Sequence, residues 1–145
     1  MKKKIIILLI AFLTVGINAN SYDVIALKRS VTTQAEASDT EAIAMLKAFY
    51  TDYITAVAGS DLKKPNVVLS KYCTPSLLKK LKAVDEDQIL KVQDANIKML
   101  DKLTIKKNRK TTNSYTVRWE YSEYNATINV WVVKRNGGYK INNVR

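Results

Sequence analysis

Three short stretches of the chain hold residue types from which catalysis is built. Ser76-Leu77-Leu78-Lys79 has the S-x-x-K spacing that sets a lysine one helical turn from a serine hydroxyl and lets it take the proton. The S-D-N and K-T-G elements that accompany this pair in penicillin-binding enzymes do not occur, and so short a pattern arises readily in a lysine-rich chain. Cys73 stands just before Thr74-Pro75, a helix start whose amide dipoles can lower a thiol pKa. With no histidine to pair with, it reads as a packed core thiol. Asp52 is the one acid in the aromatic segment AFYTDYITAV. On an isomerase plan it is the general base, and a tyrosine such as Tyr121 donates to the developing oxyanion. Its offset from the apolar positions of the helix turns it toward solvent instead, and no catalytic residue is assigned.

Other chemistries are excluded by composition. The chain has no histidine and one cysteine, so the commonest metal ligand and the commonest general base are both missing and no Cys/His zinc cluster can form. Asp85-Glu86-Asp87 lacks the alternation and the glycine of a calcium loop and reads as a solvated charge run that can cap a following helix. With four glycines and neither GxGxxG nor GxxxxGK[ST], the sequence offers no phosphate cradle. The expectation is therefore no metal and no cofactor.

One further set of residues is aromatic. Phe49, Tyr50 and Tyr53 lie on one helical segment, and Tyr115, Trp119, Tyr121 and Trp131 lie on strands. If the sheet wraps the helix, these rings converge. They then either line a small-molecule pocket supplied with hydroxyls and an indole N–H, or make an ordinary aromatic core.

The elements that must position these rings follow from periodicity. Ser38-Asp39-Thr40-Glu41 has capping-box chemistry, and Ile43, Leu46, Tyr50, Tyr53 and Val57 follow at spacings of three and four, which predicts a helix ending near Gly59. VVLSKYC is too short to assign. Thr74 caps a short helix with Pro75 in its first turn, burying Leu77, Leu78 and Leu81. QILKVQDANIKML is open between helix and loop. The period then changes to two: DKLTIKKN, SYTVRWEY, ATINVWVVKR and GYKINNV are four strands, the third with bulk on both faces and so central. Asn136-Gly137 has the residues of a type I′ hairpin turn joining the last two. Helices first and an antiparallel meander afterwards make an α+β fold, with N-terminal helices packed on a curved, roughly four-stranded sheet.

The order AFYTDYITAV, SKYCTPSLLKKL, YTVRWEY and INVWVVKRNGGYKINNV resembles small exported bacterial domains of unknown function in the nuclear transport factor 2-like (cystatin-like) superfamily. The resemblance covers residues 40 to 144. It implies a cone-shaped sheet around a long first helix, with a pocket between them in many members. Such folds serve isomerases, dehydratases, transport adaptors and binding modules, so membership does not choose among functions.

The N-terminus and the charge set the context. Lys2, Lys3 and Lys4, an apolar run from Ile5 to Val15 and Ala19 read as a signal peptide over residues 1–19, too short to span a bilayer. Residues 20–37 read as a flexible lead-in, and residues 38–145 as one domain. The chain carries +11; loss of the three leader lysines, with no acid lost, leaves +8. An exported basic protein meets lipid headgroups, acidic glycans or acidic proteins rather than nucleic acid. The sequence thus points to an exported, periplasmic or extracellular, non-enzymatic protein that binds an unknown small molecule or protein in a sheet-helix cleft or on a basic surface. A protein-directed inhibitor or immunity factor and an isomerase-like enzyme are the alternatives, and pairing of two copies through the sheet is a further possibility.

Overall fold

A computed structural model describes the backbone of residues 21–145 apart from Gln93 and Glu123, and side chains from Ser38 onward except at Tyr124. The leader reading of residues 1–19 falls outside the described residues. Contacts divide the chain after Thr33, and Gln34–Arg145 forms one compact unit that holds every feature discussed below.

Helix α1 runs over Ser21–Ala58 and ends at Gly59. It therefore begins well before the predicted cap at Ser38, whose hydroxyl bonds the Tyr139 hydroxyl rather than a helix amide. The buried stripe is also broader than the 43/46/50/53/57 face. Ala42, Leu46, Phe49, Tyr50, Tyr53 and Ile54 are buried, while Ile43 and Val57 are only half-buried. The width has a cause: the helix is packed from two sides, by the sheet through Trp119 and by the next helix through Tyr72. Each fully buried large apolar side chain of this kind contributes about 1.5–3 kcal/mol.

The unassigned VVLSKYC segment is helical. Helix α2 covers Lys64–Tyr72 with Pro65 in its first turn, and α3 covers Pro75–Leu81, capped by Thr74, whose hydroxyl accepts from the Leu77 amide at 3.3 Å. Leu77 is buried and Leu78 and Leu81 pack partly on the core. The ambiguous segment resolves into an irregular stretch and a 3-10 helix at Ile97–Lys102. Asp87 organises the stretch, its Oδ1 accepting from the amides of Ile89 at 2.7 Å and Leu90 at 3.0 Å.

The sheet is a four-stranded antiparallel meander, β1 (Thr104–Lys107), β2 (Ser114–Tyr121), β3 (Tyr124–Arg135) and β4 (Gly138–Val144), in that spatial order. One face carries Ile105, Tyr115, Val117, Trp119, Ile128, Val130, Val132 and Ile141, all buried against the helices. The β3–β4 hairpin closes with Arg135 opposite Gly138, and Asn136 and Gly137 take φ of 49° and 80°, the two left-handed residues that a type I′ turn requires. Register shifts by one residue between Trp131 and Val132, leaving Asn142 as the extra residue of a bulge. Its side chain accepts from the Thr74 hydroxyl at 3.1 Å, beside a parallel bridge from Cys73 to Ile141 that covers the β4 edge. Among the described residues no helix is long and apolar enough to cross a membrane.

Candidate functional site

Between α1 and the sheet the space is filled by the chain's own aromatic rings. Phe49 meets Tyr50 edge-on at 5.0 Å between centroids, stacks with Tyr53 at 5.6 Å and meets Tyr72 at 5.5 Å; Tyr50 lies 5.9 Å from Trp119. Of the seven aromatic residues singled out by sequence, Phe49, Tyr50, Tyr53, Tyr115 and Trp119 are buried, and Tyr121 packs half-buried at the core's margin. Trp131 does not join them. It alternates with the buried Ile128, Val130 and Val132, stands on the outward face and has the Arg145 guanidinium 5.9 Å from its ring. Surface depressions among the described residues lie elsewhere. One of about 370 Å³ runs between α1 and α2 along Asp52, Ala56, Gly59, Lys64 and Val67. Another of about 770 Å³ lies over the Asp85–Asp87 loop, and a third of about 400 Å³ lies between α2 and α3.

Polar chemistry concentrates at the rim of the core. The Tyr72 hydroxyl donates to Asp52 Oδ2 at 2.7 Å and Lys71 Nζ approaches the same oxygen at 3.2 Å. The Tyr72 hydrogen bond, more than the opposing desolvation, holds the Asp52 carboxyl below its ordinary range. A general base tuned for neutral pH is shifted the other way. Further toward the N-terminus, in the middle of α1, Asp39 Oδ1 accepts from Lys107 Nζ at 2.7 Å and from the Tyr115 hydroxyl at 2.8 Å. Desolvation pushes this carboxyl up, but the two hydrogen bonds and the lysine charge outweigh it and the net shift is downward. The Tyr53 hydroxyl, raised by burial and by the neighbouring carboxylate, donates to Asp87 Oδ2 at 3.2 Å.

The remaining nucleophile candidates are placed as follows. Cys73 is buried, and desolvation pushes its thiol up to about 12. Ser76 Oγ lies 3.0 Å from the Thr74 hydroxyl and 3.5 Å from Asn142 Oδ1, in the contact between α3 and β4. Among the described residues no group of three acidic or cysteine side chains converges as a metal site would need. Sequence reasoning missed the roles of Tyr72 and Asp39 and the bond from Tyr53 to Asp87, while the capping role of Asp87 was foreseen, for a helix rather than for the irregular stretch it serves. Tyr72 was hidden because its segment had no assigned structure, and Asp39 because it read as part of a local cap.

No family model matches the chain, and no curated protein does. Two solved structures are similar. A protein of unknown function from Bacteroides thetaiotaomicron VPI-5482 aligns with a TM-score of 0.72 over 81% of this chain and 98% of its own, at 24% identity. A chain of the type VI effector-immunity complex Tae3-Tai3 from Ralstonia pickettii aligns with a TM-score of 0.51 over 70% of this chain and 90% of its own, at 18% identity. Both likenesses establish the α+β fold.

Proposed function

We propose that the protein is an exported, non-enzymatic binding protein of the cell envelope whose ligand is another protein, acting as an inhibitor or immunity factor. The observation that carries this reading is the filled interior: five of the rings that would line a cleft are buried against one another and the sheet, so recognition falls to the outer surface. The shared fold with a chain of an effector-immunity complex supports a protein as the ligand. The basic balance of the chain supports an acidic one, since opposite charge steers encounter and disfavours wrong partners. The element order of the nuclear transport factor 2-like superfamily, which includes pure binding modules, belongs to the same proposal, as does export directed by residues 1–19.

Native mass spectrometry of the protein isolated from the envelope of its producing cell, beside a denatured control, tests this. A mass excess of polypeptide size that vanishes on denaturation, from a protein whose own activity falls when rebound, is the expected result. An excess of a few hundred daltons would replace this reading with a small-molecule binder, and a doubled mass would replace it with self-association.

A further inference from the structure

The outward face of the sheet carries none of the buried apolar core, although Ser114, opposite Trp131, is itself covered. Register pairs Thr104 with Arg118 and Lys106 with Thr116 across β1 and β2, Arg118 with Thr127 and Thr116 with Asn129 across β2 and β3, and Trp131 with Asn143 across β3 and β4. Directly paired residues of antiparallel strands share a face, so these side chains form one surface. Thr104, Lys106, Arg118, Asn125, Thr127 and Arg135 on it are exposed, while the helices pack on the other side.

The composition of that face is one-sided. Lys106, Arg118 and Arg135 occupy outward positions, as does Lys140 opposite Val133 with its amine turned to the Lys71 carbonyl, and Arg145 joins them, because its amide and carbonyl pair with those of Asn129 at 3.0 and 2.9 Å. Among the described residues of the face the carboxylate is Glu120, and it is engaged by Arg118 Nη2 at 2.7 Å and Lys102 Nζ at 3.8 Å. At the centre stand Trp131 and Val133, both half-buried, beside a Thr116-Asn129 hydrogen bond of 3.1 Å. Protein interfaces have an apolar centre within a polar rim, and their energetic centres are enriched in Trp and Arg. Trp131 would suit a lipid headgroup layer or a sugar ring as well, but the Thr and Asn rows beside it give no apolar continuation into a bilayer, and the protein-binding function proposed above decides against a glycan. A second copy of the chain would oppose these cations to the same cations, with one engaged carboxylate on each side.

We infer that this outward sheet face, centred on Trp131 and rimmed by Lys106, Arg118, Arg135 and Arg145, is the docking surface for an acidic protein. The inference rests on the proposed protein-binding function and assigns it a place. Trp131 seats against an apolar patch of the partner. The four cations meet carboxylates around it, and the Thr and Asn rows supply hydrogen-bond donors and acceptors between.

The experiment uses the full chain in its producing cell with the photocrosslinker p-benzoylphenylalanine at Thr127 on this face or at Thr51 on the exposed side of α1. The crosslinked protein is identified and purified, and its binding to wild type and variants is measured. Expected are a crosslink from Thr127 to a protein with an isoelectric point below 7 and none from Thr51. In purified form, Lys106→Glu with Arg135→Glu should weaken binding about 10- to 100-fold, chiefly in the association rate and less at high salt, at unchanged melting temperature. Trp131→Ala should weaken it about 30-fold or more. The charge-reversed pair, exposed at both positions, keeps the test valid if the tryptophan variant misfolds. Crosslinking from Thr51 alone, or a partner indifferent to the charge reversal, overturns the docking face and leaves a protein partner standing. A crosslink from Thr127 to a second copy or to lipid overturns the face as assigned. No protein crosslink from either position overturns both the face and the function.

Discussion

The Tyr72 hydroxyl lies 2.7 Å from Asp52 Oδ2, joining the last residue of α2 to the C-terminal part of α1 across the edge of the aromatic core. Only the hydroxyl does this work, because the Tyr72 ring is held separately against Phe49. Tyr72→Phe should therefore keep the ring packing and lose the hydrogen bond, at a cost of about 1 kcal/mol, below the usual range for a charged acceptor because the Asp52 side chain is 40% exposed. The pH dependence has a definite sign. The carboxyl is lowered in the folded state, so its contribution is complete above the unfolded value near 3.9 and is lost as pH falls through the lower folded value. Urea unfolding should show the wild type more stable than the variant at pH 6 and the gap narrowing toward pH 2. A gap that is constant across this range would mean that the Asp52 charge plays no part.

Two buried polar atoms behave in the opposite way. The Tyr50 hydroxyl and Trp119 Nε1 are buried with no hydrogen-bond partner among the protein atoms, and burial raises the Tyr50 pKa further. An unpartnered buried hydroxyl carries a desolvation penalty of about 1–3 kcal/mol that its ring does not. Tyr50→Phe is expected to be neutral or stabilising by about 1 kcal/mol in chemical denaturation. Trp119→Ala, which empties the centre of the core, should cost about 3–5 kcal/mol. Marked destabilisation by Tyr50→Phe would show that the hydroxyl has a partner in solution.

What could be read in advance divides along physical lines. β2 and β3 were legible because alternation has a period of two and one face is buried, as Tyr115, Val117 and Trp119 show, and β4, in which Ile141 alone is buried, followed from the turn before it. The hairpin was legible because Asn136-Gly137 is chemistry that few other structures use. Helix α2 was not, since it carries the β-branched pair Val67-Val68 and only Tyr72 in that helix is buried, leaving no apolar stripe to count. The helical start at Ser21 was missed because residues 21–37 lack the spacing that marks the later turns. Trp131 is the instructive error in the aromatic set. Its alternation with Ile128, Val130 and Val132 already placed it on the far face, and grouping it by residue type overrode the period.

Cys73 should be inert. Its thiol is buried and raised to about 12, and it sits in the bridge to Ile141 rather than in a cleft. Ellman's reagent at pH 8 should react only as fast as the protein opens, and at once in denaturant. Cys73→Ala is expected to fold, with a cost of about 1–2 kcal/mol for the lost sulfur contacts. Stoichiometric labelling of the folded protein within seconds would reopen a chemical role for this residue.

Gly137 gives the sharpest test of the hairpin that carries the sheet's last strand. Its φ of 80° suits glycine, and no atom lies within 4 Å of where a Cβ would stand, so Gly137→Ala introduces backbone strain without a clash. The left-handed conformation costs a residue with a Cβ about 1–2 kcal/mol, and alanine stiffens the unfolded chain slightly, which offsets part of it. A net loss of about 1 kcal/mol in urea unfolding is expected. Asn136→Gly should come close to neutral, because Asn136 holds its φ of 49° already at modest cost. The loss at Gly137 should leave the docking face intact, since Lys106 and Arg118 belong to β1 and β2. If Gly137→Ala instead left stability untouched, the turn would have to reach Arg135 and Gly138 by another geometry, and the register that sets Trp131 opposite Asn143 would need to be redrawn.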